Sequence, residues 1–163
     1  MRWLRPWRPL LVLTFGALLA AAVPAQAKRA DPQDFYQVVA FGNFQQNLQD
    51  ALASGKKGML VYFHQDGCPF CHKMEQTVFT KPLVQKFFHK YFTIYKVNIK
   101  GNKQFVDVHG KSVSQNKFAV ENRARATPTL IIFGKGGKEL VRFVTNPSVD
   151  ELLAMGKYVV DGT

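Results

Sequence analysis

The chain has two cysteines, and both stand in one motif, Cys68-Pro69-Phe70-Cys71, just beyond an unbroken apolar run at residues 59–63. That arrangement constrains the fold more than any other feature. A short continuous apolar run suits a strand buried on both faces, as in a parallel sheet. The motif is therefore expected at the end of a central strand. No cysteine remains for a structural disulfide elsewhere, and a zinc site built mainly of cysteines is excluded by count. Three chemistries stay open to the pair: a redox dithiol, a metal module recruiting His64 or His72, and covalent haem attachment, because His72 completes a Cys-x-x-Cys-His signature.

The first residues point to export. Arg2, Arg5 and Arg8 form a basic start, residues 10–23 are apolar, and Ala25-Gln26-Ala27 is a small-x-small cleavage site. The apolar stretch is shorter than the ~20 residues a bilayer core requires. Residues 1–27 are accordingly read as a signal peptide cleaved after Ala27, with one domain over 28–163 and its core over 43–160. The 163-residue chain carries a formal charge of +11, and loss of the three arginines lowers it to +8. Such an excess suits nucleic acid or an acidic surface, but export argues against nucleic acid and the lysines are scattered. A solvated basic surface is expected.

The elements follow from periodicity and turn chemistry. Asn43 is placed to cap a helix whose apolar face is Phe44, Leu48, Ala51 and Leu52, ending at Gly55. Lys56-Lys57-Gly58 then turns the chain into the strand at 59–63. A helix is expected to continue over 73–78, and another to open at Thr80-Lys81-Pro82 with Leu83, Val84, Phe87 and Phe88 as its buried stripe. Residues 92–97 read as a strand, 98–111 as a long polar connection, and 114–122 as a short helix. Thr129–Phe133 and Glu139–Val144 form a hairpin around Gly134-Lys135-Gly136-Gly137. Ser148 with Glu151 three residues later is a capping box opening a last helix, to about Val160. The order α-β-α-α-β-α-β-β-α describes an α/β fold with a central mixed sheet flanked by helices.

With those flanks in place the chain resembles the thioredoxin superfamily. Within it the likeness is to exported thioredoxin-related proteins of the SoxW kind, met in sulfur-oxidising bacteria. It is carried by Val61-Tyr62-Phe63-His64-Gln65-Asp66-Gly67-Cys68-Pro69-Phe70-Cys71 with Met74-Glu75, and by Val97-Asn98-Ile99-Lys100-Gly101 and Gly110-Lys111. Ala124-Arg125-Ala126-Thr127-Pro128-Thr129 and Gly137-Lys138-Glu139-Leu140 complete it. The resemblance implies a thioredoxin-like fold and a cis Thr127–Pro128 bond beside the dithiol, where a substrate segment pairs with the Thr127 backbone as an added strand. It also implies a reductase of disulfides in exported proteins, re-reduced by a membrane dithiol donor. Small c-type cytochromes are mostly helical and lack these apolar strand runs, which weighs against haem.

The motif suits the chemistry. Unpaired N–H groups and the dipole at a helix N-terminus stabilise a thiolate there. Cys68 is expected to attack a partner disulfide, and Cys71, one turn deeper, to resolve the mixed disulfide by forming Cys68–Cys71. Pro69 and Phe70 set the poise, and the Thr127 hydroxyl is placed to hydrogen-bond the Cys68 thiolate. Two departures from the thioredoxin pattern stand out. Tyr62 occupies the place of a buried acid, and Gly67 that of a tryptophan. Glu75 is the carboxylate near enough to substitute, although a surface salt bridge is its expected role. His64 and His72 are expected to be polar neighbours. The reading is a periplasmic thiol–disulfide oxidoreductase, monomeric and free of cofactor and metal, with a disulfide-forming oxidase, or a c-type haem-binding protein through Cys68-x-x-Cys71-His72, as the alternatives.

Overall fold

The structure is a computed structural model that describes residues 28–38 and 42–162; the expected signal peptide lies outside the described residues. In chain order the elements are β1 (Gln37–Val38), α1 (Phe44–Ala53), β2 (Gly58–His64), α2 (Pro69–Met74), α3 (Pro82–Tyr91) and β3 (Phe92–Asn98). They continue as β4 (Gln104–Val106), β5 (Ser112–Ser114), α4 (Gln115–Glu121), β6 (Thr129–Phe133), β7 (Glu139–Val144) and α5 (Val149–Val160). The sheet runs β1-β3-β2-β6-β7. Because β1 contributes two residues, four strands make up its body. The pairs β1·β3 and β2·β3 are parallel, while β2·β6 and β6·β7 are antiparallel. The mixed α/β architecture expected from the sequence is present, and β2 is its central strand.

The alternation along β2 divides the core. Leu60 and Tyr62 face one way, onto Val84 and Phe88 of α3 and Leu152 and Val159 of α5. Met59, Val61 and Phe63 face the other way, onto Phe44 and Leu48 of α1 and Phe118 of α4. Full burial of such side chains contributes roughly 1.5–3 kcal/mol each, so both faces hold the strand in register. Upstream of residue 43, Phe35 and Tyr36 belong to the first of these cores, with Phe35 stacked on Phe79 at 4.0 Å between ring centroids. Among the described residues no helix is long and apolar enough to cross a membrane.

Three local expectations are corrected. The stretch 98–111 is not a plain polar connection, because β4 and β5 form a hairpin that buries Phe105, Val108 and Val113. Phe105 packs against Phe44 and Phe118 at 4.7 and 5.2 Å. Apolar residues spaced among lysines and asparagines give too weak a period to read from the sequence. The helix after the motif does not remain α-helical through 78: α2 ends at Met74, and Glu75–Phe79 forms a wider π turn. Leu83 is exposed rather than part of the α3 stripe. Gln85 takes the buried place, its amide donating to the Phe79 and Asp31 carbonyls at 2.8 and 2.6 Å. The polar side chain is tolerated there because both bonds offset its desolvation.

Candidate active site

The dithiol sits where β2 hands over to α2. His64 ends the strand and Gln65-Asp66-Gly67 turns the chain, with Gly67 at φ +72° and nothing within 4 Å of a Cβ built there. The left-handed backbone alone therefore calls for glycine, and a tryptophan at this place would be strained. Cys68 is the N-cap of α2, and its Sγ accepts the Cys71 N–H at 3.2 Å. Pro69 follows at the first helical position, where its missing N–H costs nothing. Phe70 is exposed beside it.

Thr127 approaches from across the fold. Its peptide bond to Pro128 is cis, and its hydroxyl donates to Cys68 Sγ at 3.2 Å, while the Cys68 thiol reaches the Thr127 carbonyl at 3.5 Å. These contacts divide the two thiols. Burial raises the Cys68 pKa, but hydrogen bonds from Cys71, from the Thr127 hydroxyl and from the Cys71 and Phe70 N–H groups outweigh it, and the net shift is downward. Cys71 goes the other way: burial and its hydrogen bond to Cys68 push its thiol up. The surroundings favour the thiolate at one sulfur and the protonated thiol at the other. Both are free thiols in the structure.

Beneath the dithiol lies a compact polar cluster. Glu75 Oε1 accepts Lys96 Nζ at 2.9 Å, the Tyr62 hydroxyl at 3.2 Å and the Tyr36 hydroxyl at 3.3 Å. Lys96 Nζ also donates to the Tyr36 hydroxyl at 3.0 Å. The Tyr62 hydroxyl also acts on Cys71, pulling its thiol pKa down against the net upward shift. Burial works against the Lys96 charge, but its bonds to Glu75 and Tyr36 win, and its pKa is raised. The expected surface salt bridge of Glu75 is thus corrected. Its ion pair with Lys96 is largely buried, with side chains 14% and 16% exposed, because β2 and β3 place Tyr62 and Lys96 directly opposite each other.

Residues 44–160 match the thioredoxin-like domain family. The chain belongs to that family. Among solved structures, this thioredoxin-like chain is similar to a thioredoxin-fold protein from Helicobacter pylori at 20% identity, covering 83% of this chain and 82% of the other, with a TM-score of 0.64. A putative disulphide-isomerase from Bacteroides thetaiotaomicron shares 22% identity over 85% of this chain and 99% of the other, with a TM-score of 0.60. An oxidoreductase named DsbH shares 16% over 86% and 96%, with a TM-score of 0.58. Among curated proteins none matches. Family membership and the paired, unequal thiols make the chain a thiol–disulfide oxidoreductase.

The thioredoxin-like fold brings Cys68, Cys71, Thr127 and the cis Pro128 together, with Pro69 and Phe70 on the exposed side. His64 lines an open cavity with Cys68, Cys71, His72, Glu75 and Lys96. Burial and the nearby Lys96 lower its pKa to about 4, so at neutral pH it offers the thiolate no positive charge. His72 is exposed. Lys96 and Tyr36 were not singled out from the sequence. One signal was available: Lys96 falls in phase with Phe92 and Ile94 on the inward side of β3, and a lysine on a core face needs a partner.

Proposed function

We propose that this chain reduces disulfides of exported partner proteins in the periplasm, with Cys68 attacking and Cys71 resolving. The observation that carries the division of roles is that Cys68 Sγ accepts both the Cys71 N–H and the Thr127 hydroxyl at 3.2 Å, while Cys71 lies buried one turn deeper. The Cys68 thiolate attacks one sulfur of the partner disulfide, and the other leaves as a thiolate. Cys71 then attacks Cys68 Sγ, releasing the second partner thiolate and closing the Cys68–Cys71 disulfide. A membrane dithiol donor returns the pair to the reduced state. The Ala25-Gln26-Ala27 leader supports export, and the likeness to SoxW-type proteins supports the reducing direction.

The roles are separable by substitution. Cys68→Ser abolishes attack on disulfides, whereas Cys71→Ser retains attack and accumulates partners as mixed disulfides with Cys68, seen on non-reducing gels. Equal trapping by both variants would overturn the assignment. The Thr127 bond to Cys68 favours the thiolate and gives the oxidase reading specific support. Equilibration against glutathione decides the direction. A potential near the ~−120 mV of a strong periplasmic oxidant makes the chain a disulfide-forming oxidase, and a clearly more negative one makes it a reductase.

A further inference from the structure

Resolution requires a base, because Cys71 attacks only as a thiolate and its own surroundings oppose ionisation. The residue is 4% exposed, and burial and the bond to Cys68 hold its proton on. The Tyr62 phenol packs in the same buried core as Cys71, and its hydroxyl is a side-chain group that favours the Cys71 thiolate against that net shift. That phenol is fully buried, and burial together with the nearby Glu75 carboxylate raises its pKa far above the ordinary value. It therefore stays neutral and passes a proton only by accepting one while giving up its own. The acceptor of that second proton is in place at 3.2 Å, Glu75 Oε1. Glu75 is held there by Lys96 and Tyr36 and borders the open cavity of about 430 Å³ that both cysteines also line.

We propose that Glu75 is the base for the resolving step and receives the Cys71 proton through the Tyr62 hydroxyl. The proposal rests on the dithiol reading above and names the proton route of that same site. In the step the Cys71 S–H bond breaks and its proton passes to the Tyr62 oxygen, as the phenolic proton moves to the Glu75 carboxylate. The sulfur electron pair forms the bond to Cys68, and the partner sulfur departs with the electrons of the broken mixed disulfide. The partner disulfide is the oxidant, so no further co-reactant is needed. Between the proton transfer and S–S bond formation, Tyr62 donates to the nascent Cys71 thiolate and accepts from protonated Glu75. The Glu75 proton leaves through the cavity to solvent or to the departing thiolate.

The titratable groups facing this route are Tyr62 and His64 from β2, Asp66 from the turn after it, Cys68, Cys71 and His72 from the start of α2, Lys96 from β3, and Tyr36 from the segment before β1. His64 is neutral above about pH 4. Its protonation therefore lies outside the neutral-to-alkaline range in which the resolving step is measured.

The test mixes reduced protein with an aromatic disulfide that releases a coloured thiolate. The first release reports attack by Cys68, and the second reports resolution by Cys71. Glu75→Gln and Tyr62→Phe, each checked for folding by circular dichroism, are expected to slow the second release by about 10²-fold at neutral pH, the lower range of positioned acid–base contributions. Their rates climb with pH and converge on the wild type in alkali, where hydroxide replaces the lost base. A second release with the wild-type rate and pH profile in either variant overturns the relay, as does slowing that alkali does not rescue, since that marks a structural role. Absence of the first release from wild-type protein instead sinks the oxidoreductase reading itself.

Discussion

At Cys68 a single sulfur is stabilised from two directions, by its own helix and by Thr127. The helix supplies the Cys71 N–H at 3.2 Å, and Thr127 supplies a hydroxyl at the same distance. Hydrogen bonds to the charged form lower a pKa. Thr127→Val, nearly equal in volume, removes the hydroxyl donor alone. It is expected to raise the Cys68 pKa and to shift the potential of the pair to more negative values, because the reduced form loses stabilisation. The scale is about 30 mV for each unit of thiolate pKa in a two-electron couple. Thiolate absorbance against pH and equilibration with glutathione measure the two quantities. An unchanged Cys68 pKa in the variant would show that the Thr127 contact contributes nothing.

Among the elements, the β4–β5 hairpin is organised around a single side chain. Asp107 is buried at its tip, and one carboxylate oxygen accepts the His109 and Lys111 N–H groups at 2.8 and 2.9 Å. The Asp107 N–H donates to the Lys111 carbonyl and the Gly110 N–H to the Asp107 carbonyl in the same turn. The hairpin in turn holds Phe105 against α1 and α4 and ties Val106 to Gly42 at 2.9 Å. Asp107→Ala leaves two donors without their acceptor, at about 1–3 kcal/mol for each one that stays buried. Global stability is expected to fall by a few kcal/mol, and amide hydrogen exchange to accelerate first at residues 104–114. Exchange that rises evenly across the chain would show that the hairpin is not a separate opening unit. By contrast the Ser148–Glu151 capping box, with bonds of 2.8 and 3.3 Å, starts α5 as its sequence implies.

For the whole molecule, His64 links stability to pH. Burial first, and then Lys96, lower its folded-state pKa from 6.5 to about 4. Between those values the unfolded chain takes up a proton that the folded chain refuses. Stability therefore falls as pH drops through this window. Glu139 and Glu151, whose pKa values are lowered by bonds from Arg142 and Ser148, add losses of the same sign at the acid end. Only a comparison with a variant isolates the histidine. Denaturation midpoints of wild type and His64→Gln, followed from neutral pH down to about 4, are expected to diverge, the variant losing less. Parallel curves would mean that His64 is not linked to unfolding.

Local rules carried much of this protein. The apolar run at 59–63, the Asn43 and Ser148 caps, the Gly134–Gly137 turn and the Cys-x-x-Cys before a helix each depend on a few adjacent residues. The sequence therefore determined the fold class, the central strand and the reactive pair. The β4–β5 hairpin escaped because its apolar residues are sparse, and Leu83 and Gln85 exchanged places because helical phase alone does not say which neighbour supplies acceptors. What only tertiary structure decided is the electrostatics of the site. Thr127 lies 59 residues from Cys68 in the chain, and Glu75, Lys96 and Tyr36 meet Tyr62 because the parallel register of β2 and β3 sets Tyr62 opposite Lys96. Hydrogen bonding and desolvation act over a few ångströms, so the pKa of each thiol belongs to the assembled sheet and not to any stretch of sequence.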